Sequence, residues 1–365
     1  MTIILLQLAL AQGTNDFVTV EGPHLTPGDL SWGSATVTTI GAPAVFRHDF
    51  FDDPTTTYAT GTGTTTPDPL LMVYEAQIGA ASTECPAGEW GIGLAFSDDS
   101  GASWTDLGPL LQPTAGTYYS CVAAHPRVVK LVSDDRWVIY FKAEQDVAAC
   151  EALKSEPSWG CDQYSGVGRL GLEAGISGTT LTYTLLGVAS APVLTDVQQD
   201  MGYPDVVHVD GRYRMIFAQN PNLYYTDSPT TGGFVAPSSP VITKGDAASG
   251  FGESEYLSPS TVCAAGSPYK VFVSGRTFMP YPTLIDQSWG QFTTTDWSSY
   301  SEGTGPYTST AASDPEMRHV YAVSSDSGAG YAGFYSTPAK AGGNEIYSVS
   351  TASFDASTID PKRCP

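Results

Sequence analysis

The sequence predicts an all-β chain folded as a five-bladed β-propeller. Three observations predict it. Helical periodicity is nearly absent. Short β-branched and aromatic runs recur between Gly, Pro, Asp and Ser punctuation. One phrase returns five times: a proline, one residue, an apolar residue, then a turn and a second aromatic-aliphatic strand. The competing arrangement of the same strands is a β-sandwich with coincident spacing.

The first copy is Ala42-Pro43-Ala44-Val45, leading to Leu71-Met72-Val73-Tyr74-Glu75. The second is His125-Pro126-Arg127-Val128, leading to Trp137-Val138-Ile139-Tyr140-Phe141. Tyr203-Pro204-Asp205-Val206 leads to Tyr213-Arg214-Met215-Ile216-Phe217, and Ser258-Pro259-Ser260-Thr261-Val262 to Tyr269-Lys270-Val271-Phe272-Val273. A weaker fifth copy is Asp314-Pro315-Glu316-Met317, leading to Tyr331-Ala332-Gly333-Phe334-Tyr335. The five prolines lie 83, 78, 55 and 56 residues apart, which suits one blade of three to four strands per copy. Third strands fall at 91–96, 169–173, 223–226, 290–294 and 345–349. Proline is tolerated at the first residue of a strand, where no ladder N–H is needed. Segment 17–39 is expected to add the outer strand of the last blade and close the ring. Inserts at 55–69 and 144–166 read either as specificity loops or as tolerated surface insertions.

Composition narrows the function. With 16 basic and 38 acidic residues among 365, the chain carries a net charge of -22. Nucleic acid and anionic membranes are poor partners for such a chain, because phosphate contacts need Lys and Arg. Residues 2–11 read TIILLQLALA, resembling the apolar region and small-residue cleavage site of an export signal; the alternative is a buried first strand. We therefore expect a signal-like segment at 1–12, a single domain over 13–365, no membrane span and a secreted or cell-surface location. The six cysteines form no C-x-x-C and suit three disulfides. The expected pairs are Cys150–Cys161, Cys85–Cys121 and Cys263–Cys364, among 15 possible connectivities; the alternative leaves some thiols reduced and buried.

Two stretches, GIGLAFSDDSGASW over 91–104 and YPDVVHVDGRY over 203–213, carry a resemblance to the propeller superfamily that includes glycoside hydrolase families 43, 62 and 32. The first contains S-x-D-x-G-x-S-W from Ser97 to Trp104, similar to the Asp box of sialidases, and the resemblance implies a structural role for it. It also implies two carboxylates and an acidic helper around the channel mouth. Those families place an Asp just before the first-blade proline; here that residue is Ala42, and the equivalents are His125, Tyr203, Ser258 and Asp314.

Glycoside hydrolysis needs one carboxylic acid to protonate the leaving oxygen and one carboxylate to activate water or attack carbon. In a blade the second strand returns toward the start of the first, so Glu75, Lys142, Glu144, Gln219 and Arg276 should converge on the residues around the prolines. Glu255 is the expected general acid and Asp205 its base partner, with Glu75 and Asp314 as alternatives. His125, Arg127, Arg276, Tyr203 and Ser258 are the expected substrate-binding residues. His125 reads equally as a proton donor or as a structural residue bonded to a carbonyl. Aromatic residues Tyr203, Tyr256, Phe278 and Tyr281 suit either sugar stacking or packing. No cofactor is required, though a channel ring of acids and carbonyls suits Ca²⁺. The expected protein is an exported glycoside hydrolase acting on carbohydrate; the alternative is a non-catalytic propeller that binds glycan or protein.

Overall fold

Four of the proline phrases lie inside the innermost strand of an antiparallel meander, with proline at its fourth or fifth residue rather than its first, and two or three further strands follow. The computed structural model describes residues 19–47, 58–59, 65–66, 70–99, 101–131, 136–153, 165–177, 180–195, 201–247, 252, 254–262, 268–278, 284–303, 318–324, 331–338 and 344–350. The first blade comprises Thr39–Arg47, Leu70–Gly79, Glu89–Ser97 and Thr105–Leu111. The second comprises Val122–Lys130, Arg136–Glu144, Ser165–Ser177 and Thr180–Val188. Met201–Val209, Arg212–Gln219 and Asn222–Ser228 form the third. Glu255–Val262, Tyr269–Phe278 and Leu284–Thr294 form the fourth, edged by Ser301–Glu302. The last comprises Arg318–Ser324, Tyr331–Pro338 and Asn344–Ser350, and Thr19–Leu25 from the other end of the chain adds its outer strand, with Thr19 opposite Ser350. The innermost strands touch in cyclic order, and the last returns to the first. The architecture is therefore an all-β propeller. Apolar side chains fill the spaces between neighbouring sheets, with Trp137, Trp289 and Trp297 fully buried.

The five innermost strands share one irregularity. Pairing slips by one residue between Gly41 and Ala44, Ala124 and Arg127, Gly202 and Asp205, Leu257 and Ser260, and Arg318 and Tyr321. This is a β-bulge, which bends a strand and re-aims side chains. In four blades the residue before proline takes a left-handed φ: 42° at Ala42, 51° at His125, 52° at Tyr203 and 48° at Ser258. Such conformations cost about 1–3 kcal/mol each outside glycine and persist only where neighbours enforce them. In the fifth blade the bulge falls at His319 and Val320, five residues beyond the expected Pro315 copy. Valine thus stands where the other blades have proline, and Asp314 lies outside the described residues.

Because the five described inner strands share the slip, Ala44, Arg127, Asp205, Ser260 and Tyr321 occupy one register layer, and all are buried. The Arg127 guanidinium sits 5.4 Å from the Tyr321 ring centroid. Those residues come from non-adjacent blades, so the contact crosses the interior of the ring, past the small Ala44. Arg127 donates to the Pro126 carbonyl at 3.0 Å, and Asp205 Oδ2 accepts the Thr261 N–H at 2.6 Å. Burial lowers the Arg127 pKa, while the charges of Asp205, Tyr321 and Glu75 act to raise it.

The turn after Glu89–Ser97 is held by its own side chains. Asp99 Oδ1 accepts the Ser97 hydroxyl at 2.7 Å and the Ser103 N–H at 2.8 Å, and Trp104 donates to the Gly101 carbonyl at 3.1 Å. This turn lies at the far end of the strand from Trp90. Cys85 and Cys121 form a disulfide. Cys150, in the short helix Val147–Leu153, is also disulfide-bonded. Its expected partner Cys161, the Cys263–Cys364 pair and segment 1–12 lie outside the described residues. Among the described residues, no helix is long and apolar enough to cross a membrane.

The Asp205 charge favours the ionised form of the buried Arg127, and its removal leaves that guanidinium less compensated. Asp205→Ala is expected to lower the unfolding free energy by about 3–5 kcal/mol. The double variant Arg127→Met/Asp205→Leu is expected to lose less than that single change. Urea denaturation at neutral pH, with Arg127→Met and Asp205→Leu measured alongside, checks both; a double loss equal to the sum of the singles would exclude the pairing.

Candidate active site

The bulges and the ends of the second strands meet in a cleft of about 270 Å³ at one end of the ring. Its lining includes Glu75, His125, Lys142, Glu144, Tyr203 and Arg276, with Trp90 on the rim and Asn344 from the last blade. Glu75 lies within the second strand of blade one, opposite Gly41. Its Oε2 accepts the backbone N–H of His125 at 2.9 Å and lies 2.9 Å from His125 Nδ1. A carboxylate from one blade therefore clamps the strained bulge residue of the next. The His125 ring stacks on Tyr203, with centroids 3.8 Å apart and planes at 26°. Two equivalent bulge positions in adjacent blades thus place their rings in contact.

Lys142 and Glu144 stand two apart on one face of a strand, and their Nζ and Oε1 atoms lie 2.7 Å apart. Arg276 faces Glu255 directly across the ladder and donates from Nη1 to Glu255 Oε1 at 3.0 Å. Each of these acids therefore faces a basic side chain, and the cleft is close to charge balance within a strongly acidic protein. Among the described residues, no group of three His, Cys, Asp or Glu is placed to hold a metal ion.

Of the residues singled out in the sequence, Glu75, His125, Lys142, Glu144, Tyr203 and Arg276 come together in the cleft. Glu255 is buried beside it, reaching it through Arg276. Ser258 occupies the equivalent bulge in blade four and is buried. Arg127 and Asp205 lie in the interior layer rather than in the lining. Tyr256 is a packing residue: it meets Phe292 edge-on at 5.6 Å, and its hydroxyl accepts the Ala247 N–H at 3.2 Å. Tyr281 lies outside the described residues. Trp90 escapes sequence reasoning because it opens a third strand, where no repeat marks it. Glu144 matches Arg276 in register: each stands two residues beyond the partner of the last residue before the bulge.

No protein-family profile matches the chain, and neither does any curated protein sequence. Solved structures do. A glycoside hydrolase aligns with a TM-score of 0.60 at 14% identity, covering 92% of this chain and 93% of that one. A glycosyl hydrolase from Bacteroides ovatus aligns at 0.59 and 11% identity, covering 96% and 94%. An exo-1,5-α-L-arabinanase from a bovine ruminal metagenomic library aligns at 0.52 and 12% identity, covering 87% and 94%. The likeness is one of fold, that of the β-propeller glycoside hydrolases.

Near the cleft, Asp146 caps the short helix, accepting the Ala149 N–H at 2.9 Å and the Ser120 hydroxyl at 2.9 Å. The Ala149 and Ser120 bonds hold its carboxyl below the ordinary 3.8. Asp227 is likewise lowered, chiefly by the hydrogen bond from Arg212, with burial opposing. A folded pKa below the unfolded one gives stability that is present above the unfolded value and lost as pH falls through the folded value. The melting temperature is therefore expected to fall as pH drops below about 4. The melting deficits of Asp146→Asn and Asp227→Asn relative to the unaltered protein should shrink over the same range. A deficit independent of pH would refute this account.

Proposed function

We propose that this protein is an exported glycoside hydrolase whose carboxylates work at the mouth of the propeller. The supporting observation is the cleft itself: acids, bases and aromatic rings from separate blades converge in a fold whose solved examples include glycoside hydrolases. A sugar offers hydroxyls around its edge and C–H groups on its faces. Paired charges such as Lys142–Glu144 and Arg276–Glu255 suit the hydroxyls, and Trp90 and Tyr203 suit the faces. The disulfide is compatible with an oxidising compartment.

In this reading Glu75 and Glu144 are the acids that reach the ligand. His125, whose Nδ1 lies beside Glu75, is the group for proton exchange. Glu255 fixes Arg276, and Asp205 steadies the interior layer beneath. The second reading is a glycan-binding propeller without turnover. Two observations favour it: the acids in the cleft are matched by cations, and the first-blade bulge residue is Ala42.

The test is hydrolysis of arabinan, xylan, fructan and sialoside substrates, with sugar binding followed in parallel. On the substrate turned over, Glu75→Gln and Glu144→Gln are each expected to lower kcat/KM about 100-fold or more, the usual scale of general acid–base work. Full activity in both variants would remove these residues from the chemistry. Binding without turnover in the unaltered protein would establish the second reading.

A further inference from the structure

The Cys85–Cys121 disulfide spans 36 residues and joins the loop that precedes Glu89–Ser97 to the segment that leads into Val122–Lys130. Both cysteines are buried. With Val122 and Ala124 they form a small apolar cluster against which Trp90 packs. Trp90, Val122 and Ala124 all line the cleft, as does Ala87 two residues beyond Cys85. Main-chain bonds radiate from the bridge: Gly88 N–H to the Cys85 carbonyl at 2.9 Å, Trp90 N–H to the Cys121 carbonyl at 3.0 Å, and Cys121 N–H to the Glu144 carbonyl at 3.0 Å. The Trp90 indole N–H is fixed on the Ala87 carbonyl at 2.8 Å. A parallel bridge between Trp90 and Val122 joins blades one and two at this point.

We propose that Cys85–Cys121 is a positioning element for the cleft, holding the wall that carries Trp90 and the strand end that carries Glu144. The ring itself is held elsewhere, by the inner-strand contacts and the apolar cores between sheets. The class of ligand served, a sugar ring laid on Trp90 with hydroxyls toward Glu144, rests on the function proposed above; the positioning role does not.

Amide exchange of the full chain, read by mass spectrometry, tests the positioning role without a ligand. In Cys85→Ser/Cys121→Ser, peptides covering 84–90 and 120–124 are expected to exchange about tenfold faster or more, while those covering 70–76 and 136–143 keep their protection. Cys85→Ala/Cys121→Val, which keeps the small apolar cluster filled and leaves the Cys150 disulfide intact, is expected to show the same pattern and guards against a variant that does not fold. Unchanged protection of the rim, or equal loss in rim and core, overturns the proposal. With short arabinan, xylan and fructan oligosaccharides as probes, the double variant is expected to bind about tenfold more weakly than the unaltered protein. Equal affinity overturns the link to the ligand. No binding by the unaltered protein overturns the function proposed above, and the exchange pattern still decides the role of the disulfide.

Discussion

A one-residue slip in each described inner strand is the constraint on which the molecule depends. Strand side chains alternate between two faces, so a single inserted residue changes which of them look inward. Before the slip, His125 and Tyr203 turn to the mouth. After it, Arg127 and Asp205 turn to the ring interior. The slip is costly, because a residue that precedes proline is normally pushed toward extended geometry. At His125 the cost is offset by a carboxylate from the adjacent blade that takes up the displaced N–H. The same contact that stabilises the backbone also sets the imidazole, so local strain and site geometry have one origin.

Charge is used sparingly and in pairs. In a chain with 16 basic residues, Arg127 serves the interior layer, while Lys142 and Arg276 serve the mouth. Burying a guanidinium is unfavourable, and Asp205 with the Tyr321 ring supplies the compensation. The interior layer is thus a packed floor, and the cleft above is where aromatic and polar groups coexist.

Much of this is legible in the residues. Proline followed by one residue and an aliphatic marks four inner strands, because proline fits a strand start and a bulge alike. It misleads in the fifth blade, where Val320 performs the same backbone task and the nearby Pro315 mimics the phrase. Glu75 and Arg276 fall where the pattern puts them, since antiparallel return brings strand ends to one rim. Arg127 and Asp205, expected near that rim, lie in the interior layer, because the bulge changes which residues face inward and leaves no mark in composition. Trp90 sits on a third strand, and its cross-blade bridge to Val122 helps carry it to the mouth.

The pairing of Thr19–Leu25 with Asn344–Ser350 has a kinetic meaning. A ring sealed by residues more than three hundred positions apart cannot be completed while its far end is still being synthesised. Until then the last blade presents an unpaired border, the kind of surface to which foreign strands adhere. Closure of the ring therefore follows synthesis of Asn344–Ser350, because Thr19–Leu25 has its strand partner only then.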